Sequence, residues 1–165
     1  MEDIIYHPIG LIHTPFKEPK GTPIQPRRGR GIQGTIEVYP EYAEGLADLD
    51  GFSHIIVLYH LHLSKEYSLK VTPFLDNQPR GVFATHAPRR PNPIGVSVVR
   101  LKKVEGNILH IEDIDMVDGT PLLDLKPFVP EFEKNKEPEK YEIGWLKGKI
   151  HGADTTDADE RMYKK

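Results

Sequence analysis

The stretch Val96–Glu112, which reads VSVVRLKKVEGNILHIE, predicts two paired strands. Val96–Val104 and Asn107–Glu112 are the two candidate strands, and Glu105-Gly106 between them is suited to a tight turn. We therefore expect an antiparallel hairpin here, with the rest of the sheet built outward from it.

Further strands are predicted on both sides of this hairpin. His54–Leu63 is nearly all apolar and rich in β-branched residues, which favours a central strand buried on both faces. Pro40–Leu46 has a proline at its start and acids in its first turn, and predicts a short helix. The other predicted strands are Ile4–Ile12, Thr35–Tyr39, Gly81–Thr85 and Ile114–Leu125, the last broken by the turn pair Asp118-Gly119.

About seven or eight short strands with few helical segments predict an all-β fold. We expect a small closed or partly open β-barrel with short helical insertions and an irregular C-terminal tail. A doubly wound nucleotide-binding fold would need strands alternating with helices and a glycine-rich first turn, and neither occurs. The expected division is a barrel domain at 1–130, an extension packing on the barrel at 131–150, and a disordered tail at 151–165.

Composition narrows the class of protein. The 165 residues contain no cysteine, which excludes disulfides and zinc–thiolate sites and favours a cytoplasmic location. No apolar run is long enough to span a membrane, and we expect no signal peptide. The net charge of −3 does not indicate nucleic-acid binding, although residues 1–103 carry 13 Lys and Arg against 10 Asp and Glu. Five arginines are clustered in the sequence: Arg27, Arg28, Arg30, Arg89 and Arg90. They form either a solvated surface or a patch that binds phosphate.

Two proline-rich loops are the candidate binding segments. Pro15–Gly34 is about 20 residues long without periodicity, and loops of that length are usually functional or disordered. Its prolines favour an ordered binding loop. In Gly81–Gly95, Arg90 and Asn92 each precede a proline, which holds their backbones extended. These side chains are either preorganised for a ligand or part of a rigid connection between strands.

The segment Asp113–Asp124 carries four carboxylates in twelve residues. They could bind a hard cation, although the spacing of an EF-hand is absent. They could instead face a cationic or hydroxyl-rich ligand, or accept backbone hydrogen bonds in a turn. His54, His60 and His62 would share one strand face, and we interpret them as core or pocket residues rather than zinc ligands. No metal is therefore expected.

Arg90-Pro91-Asn92-Pro93-Ile94-Gly95 and Asp118-Gly119-Thr120-Pro121, in this order, resemble the TsaA-like (TrmO) family. Ile9–Glu18 and Gly45–His54 add to the resemblance, which covers about residues 4–130. The resemblance implies a β-barrel, a homodimer and S-adenosylmethionine as cofactor. It also implies methyl transfer to N6 of a modified adenosine, threonylcarbamoyladenosine, at position 37 of tRNA.

The resemblance also implies site residues. The methyl-donor pocket would contain Gln25, Pro26, Arg27, His62, Leu63, His86, Val96, Asp113, Ile114 and Asp115. We assign tRNA contacts to Arg89 and Arg90, and expect Asn92 and Asp118 to orient the nucleophilic nitrogen and accept its proton. His86 stands where the family usually has arginine, and the second C-terminal domain of some members is absent from these residues. The alternatives are methyl transfer to a small molecule and a non-catalytic S-adenosylmethionine-binding module.

Overall fold

The strands of the computed structural model, which describes residues 2–133 and 142–159, close into a barrel. The strands are β1 (Gly10–His13), β2 (Gln33–Val38), β3 (His54–His60), β4 (Lys70–Val71), β5 (Arg80–Gly81), β6 (Ile94–Glu105), β7 (Ile108–Glu112) and β8 (Thr120–Pro127). The barrel has the order β1-β2-β7-β6-β3-β8, with every neighbouring pair antiparallel. β4 and β5 pair with each other outside it. The predicted all-β barrel is confirmed, and it is closed.

The predicted hairpin forms as β6 and β7. Glu105 pairs with Ile108, and Val104 pairs with Leu109. Gly106 in the turn has φ +59°, a left-handed conformation that glycine adopts without a steric penalty. β6 pairs with β3 on its other edge, so the hairpin supplies a third of the barrel wall.

One face of each barrel strand supplies the core. In β3, Ile55, Val57 and Tyr59 are buried, whereas the alternate residues, among them His54 and His60, are half-buried. The prediction that this strand is buried on both faces was therefore wrong. A barrel encloses a single core, so each strand has one interior face. The other fully buried side chains of the core are Ile12, Ile36, Val38, Val99, Leu109, Ile111, Ile114, Met116 and Leu122.

Short helical turns connect the strands, as expected. The predicted helix Pro40–Leu46 is present as a 3-10 helix. The predicted strand Gly81–Thr85 was wrong beyond its first residue, because Val82–Ala84 is a 3-10 turn. The Thr85 hydroxyl donates to the Val82 carbonyl at 2.8 Å, which keeps the chain turned rather than extended. The other helical turns are the 3-10 helices Leu49–Gly51, Gly144–Leu146 and Ile150–Asp154 and the α-helical turn Pro130–Glu133.

Residues 142–159 lie against the loops at one side of the barrel. Gly21 N–H donates to the Ala158 carbonyl at 2.9 Å, and Ala158 N–H donates to the Thr22 carbonyl at 2.8 Å. Residues 151–159 therefore contact the first loop through backbone hydrogen bonds and through ion pairs such as Arg27–Asp154, and the expected disorder of 151–165 stays a prediction. Residues 134–141 and 160–165 lie outside the described residues, so the division of the chain at 130 and 150 stays a prediction. Within the described part, no helix is long and apolar enough to cross a membrane.

Candidate functional site

A cleft of about 790 Å³ opens beside the barrel where its loops meet. Its walls come from segments that are distant in sequence, and the C-terminal segment closes one side. The lining residues are 22–26, 59, 61–63, 73–75, 83–88, 90, 94–98, 115–117, 120, 145, 146 and 158. The volume lies in the range of pockets that hold a small molecule or cofactor.

Most of the predicted methyl-donor residues meet in this cleft. The predicted residues that line it are Gln25, Pro26, His62, Leu63, His86, Val96 and Asp115. One cleft therefore receives residues from the Pro15–Gly34 loop, from the end of β3, from the proline-rich 81–95 segment and from the acidic segment. The cleft also includes Arg90, but neither Arg89 nor Asn92.

Asp113 and Ile114 hold the first loop in place and do not line the cleft. Asp113 Oδ1 accepts from Gly31 N–H at 2.7 Å. Ile114 is fully buried in the core, and a Cβ on Gly29 would lie 2.0 Å from the Ile114 carbonyl oxygen. Only glycine fits at position 29, because the two backbones touch there. These contacts set the position of Gln25 and Pro26 relative to the acidic segment.

Asp115 is the carboxylate of the cleft. The Ser97 hydroxyl lies 2.7 Å from Asp115 Oδ1 as donor, and it also lies 3.1 Å from the Tyr59 hydroxyl. Burial raises the pKa of Asp115 to about 7, because the Ser97 bond offsets only part of the lost hydration. Among the described residues, no cationic side chain pairs with it. Asp115 can therefore accept a cation or a hydrogen-bond donor from a ligand.

His62 supplies a neutral imidazole to the same cleft. Burial first, and the neighbouring His60 second, lower the pKa of His62, so the ring is uncharged at neutral pH. The Thr120 hydroxyl donates to the Val117 carbonyl at 2.7 Å and lies 3.5 Å from His62 Nδ1. A neutral imidazole keeps one ring nitrogen without a proton, so His62 can act as a hydrogen-bond acceptor in the cleft.

Arg90 holds the turn that forms another wall. Its Nη1 donates to the carbonyls of Thr85 at 2.7 Å, Val82 at 3.1 Å and Ala87 at 3.4 Å. From outside, Trp145 Nε1 donates to the Ala84 carbonyl at 2.8 Å. Part of the Arg90 guanidinium is thus occupied by its own loop rather than offered to a phosphate.

Three further predicted residues do not line the cleft: Arg27, Asn92 and Asp118. Arg27 Nε pairs with Asp154 at 2.6 Å, so the C-terminal segment neutralises it. Asn92 is exposed between two prolines. Asp118 accepts from Thr14 N–H at 3.0 Å and from Lys17 Nζ at 2.7 Å, and Lys17 lowers the pKa of its carboxyl. Asp118 therefore holds the Thr14–Lys17 turn.

The C-terminal contribution to the cleft was missed by sequence reasoning. Trp145, Leu146 and Ala158 line it, together with Phe74 and Leu75 from the loop between β4 and β5. The isolated apolar run at 141–146 in a charged region was the available signal. Among the described residues, no group of three or more His, Cys, Asp or Glu side chains could hold a metal ion.

Comparison with known proteins places the chain in a family. Residues 11–134 match the model for the tRNA-methyltransferase O N-terminal domain. A probable S-adenosyl-L-methionine-binding protein of Pyrococcus abyssi is 53% identical over 160 residues, 97% of this chain and 85% of that protein. The human tRNA (adenine(37)-N6)-methyltransferase is 36% identical over 140 residues, 79% of this chain and 31% of that protein.

A crystal structure of TrmO from Pseudomonas aeruginosa superposes with a TM-score of 0.69 at 36% identity, covering 84% of this chain and 62% of that one. The chain therefore belongs to the TrmO N-terminal-domain family. It spans most of the Pyrococcus protein, about a third of the human enzyme and under two thirds of the Pseudomonas chain.

Proposed function

We propose that this protein is an S-adenosylmethionine-dependent methyltransferase whose substrate is N6 of a modified adenosine, threonylcarbamoyladenosine, at position 37 of tRNA. Membership of the TrmO family supports the reaction class, and the name of the human relative supports tRNA as substrate. The observation that carries the proposal is the cleft that brings Gln25, His62 and Asp115 together beside a barrel of this family.

The residues of the cleft fit S-adenosylmethionine. The donor carries a sulfonium and an amino group, both cationic, and Asp115 is a carboxylate with no cationic partner among the described residues. Phe74 and Leu75 add apolar surface that suits an adenine ring and a thioether-like chain. When bound, the donor supplies an electrophilic methyl group. Three predicted residues do not line the cleft but contact the segments that do, as described above: Arg27, Asp113 and Ile114.

Positioning provides most of the rate in such a transfer, since an in-line displacement needs only correct alignment and exclusion of water. The nitrogen must also lose its proton, and the lining side chains whose chemistry allows them to accept it are His62, His86 and Asp115. We assign this role to His62, because burial lowers its pKa and a neutral imidazole keeps one ring nitrogen with a free lone pair. A catalytic role for Asn92 and Asp118 stays a prediction.

We propose that Arg89 and Arg90 lie near the tRNA backbone. Nη1 of Arg90 also donates to the Thr85 carbonyl of its own loop. We further expect a homodimer that doubles the binding surface, and a cytoplasmic location where tRNA is processed.

The test is calorimetric titration of the full chain with S-adenosylmethionine, followed by methyl transfer to tRNA. We expect micromolar binding, and transfer to tRNA that carries threonylcarbamoyladenosine but not to tRNA with unmodified adenosine. Binding without transfer to any RNA or metabolite would favour the binding-module alternative, which is how the Pyrococcus relative is named. Transfer to a free metabolite alone would favour the small-molecule alternative.

A further inference from the structure

Phe83 is a large apolar side chain that the fold holds in solvent at the mouth of the cleft. It is 75% exposed, yet it is among the lining residues. Isolated exposed apolar residues are common on proteins and by themselves need no explanation. Phe83 differs because its backbone is fixed from several directions.

The turn that carries Phe83 is anchored on both sides of the ring. Val82 is buried in a small apolar cluster, so the turn cannot rotate to bury Phe83 instead. Arg90 Nη1 binds the carbonyls of Val82 and Thr85, and Trp145 Nε1 binds the carbonyl of Ala84. Holding this turn in one conformation around an exposed phenyl ring costs conformational entropy. A ligand that binds the ring would offset that cost.

The surroundings of the ring suit a planar, electron-rich ligand. The Arg90 guanidinium carbon lies over the ring, 5.9 Å from its centroid, in a cation–π arrangement. A cation over one face leaves the opposite face for a flat group. Single-stranded nucleic acids are bound in this way, by unstacked bases on aromatic side chains beside arginine.

We propose that Phe83 is the platform on which the target adenine of tRNA stacks once it leaves the anticodon loop. This assignment rests on the proposed function and names the group that receives the substrate base. Stacking adds binding energy that depends on the π-face of the base rather than on the net charge of −3. Phe83 is then a substrate-binding residue, and Arg90 and Trp145 are positioning residues for it.

The test compares Phe83→Leu, which keeps apolar bulk but loses the ring, with Phe83→Trp, which keeps a stacking surface. Phe132→Leu is the matched control, because Phe132 is 85% exposed on the Pro130–Glu133 turn and does not line the cleft. The measured quantities are KM for tRNA, kcat, the Kd for S-adenosylmethionine and the melting temperature.

We expect Phe83→Leu to raise KM for tRNA roughly 10-fold or more. Phe83→Trp should recover most of the tRNA affinity that Phe83→Leu loses, and Phe132→Leu should resemble the wild type. In Phe83→Leu the loss of affinity should be larger for tRNA than for the donor. An unchanged KM in Phe83→Leu would overturn the assignment, as would an equal loss in Phe132→Leu. An equal loss of donor affinity would show that the ring serves the adenine of the donor instead. Absence of transfer by the wild type would overturn the proposed function itself, and this assignment with it.

Discussion

The barrel and the cleft beside it are held together by different forces. The barrel surrounds a core of fully buried aliphatic side chains, and its strands are hydrogen-bonded all the way round. The cleft walls are joined by single polar links, such as Asp113 to Gly31 and Trp145 to Ala84. Burial of apolar area contributes about 1.5–3 kcal/mol per large side chain, whereas one hydrogen bond contributes about 1 kcal/mol. The barrel therefore sets the stability, and the cleft can be altered without unfolding the protein.

The largest effect is expected from a cavity in the barrel. Ile55 in β3 is fully buried, so Ile55→Ala should lower the free energy of unfolding by about 2–5 kcal/mol, measured by urea denaturation. Ile108→Ala on β7 is the control, because Ile108 is 37% exposed and should cost less than about 1 kcal/mol. Similar losses in the two variants would mean that the barrel interior does not dominate stability.

Removing Asp118 should affect stability before chemistry. Its carboxylate accepts from Thr14 N–H, and Thr14 is buried, so Asp118→Ala leaves that donor unpaired at a cost of about 1–3 kcal/mol. Turnover per folded molecule should change little, because Asp118 does not line the cleft. A large loss of turnover at unchanged stability would instead support the catalytic role predicted from the sequence. Chemical denaturation and single-turnover rates measure the two quantities.

The charge of Asp115 should set the affinity for the donor. Asp115→Asn should weaken S-adenosylmethionine binding about 10-fold at pH 8, equivalent to about 1.4 kcal/mol. Wild-type affinity should rise as pH passes through about 7, since only ionised Asp115 attracts the sulfonium. S-adenosylhomocysteine, whose sulfur is neutral, is the control and should show a weaker dependence. A flat pH profile for the wild type, measured by calorimetry, would contradict this role.

The same carboxyl should influence the pH dependence of folding. Because the pKa of Asp115 is higher in the folded protein than in the unfolded chain, the folded state holds its proton more tightly. Stability should therefore fall as pH rises from about 4 to about 7, and Asp115→Asn should remove this part of the slope. Ligand-free denaturation curves across that range measure it.

The smallest effect is expected at the exposed ion pair that fastens the C-terminal segment. Arg27 pairs with Asp154, and a double-mutant cycle with Arg27→Ala and Asp154→Ala should give a coupling below about 1 kcal/mol. The coupling should shrink further as salt is added, because the Arg27 side chain is largely exposed. A coupling of several kcal/mol would contradict the division between an apolar barrel and a weakly fastened cleft.

Sequence reasoning identified much of the barrel. The hairpin at 96–112, the strands around Ile36 and Ile55 and the short helix at Pro40 all depend on local patterns and turn residues. It was wrong where hydrogen bonds from side chains to the backbone override the local strand preference. Val82–Ala84 turns, although its residues favour a strand, because Arg90 and Thr85 bind its carbonyls. Local propensity carries no information about such a contact.

The resemblance predicted a set of donor-binding residues, which stays a prediction, and the fold decides how these residues are arranged. Gln25, His62, His86 and Asp115 were all expected in one pocket, and they line one cleft. Arg27 was expected there as well, but it pairs with Asp154 of the C-terminal segment. Nothing in the sequence around Arg27 indicates a partner more than a hundred residues away.

Local patterns predicted most of the barrel strands and the hairpin turn, because these follow from local backbone preference and side-chain identity. Three properties could be read only from the folded chain: the buried face of β3, the lack of a cationic partner for Asp115 among the described residues, and the position of Trp145 at the cleft. These properties depend on burial and on long-range contacts. They arise when the barrel closes and brings distant loops to one side.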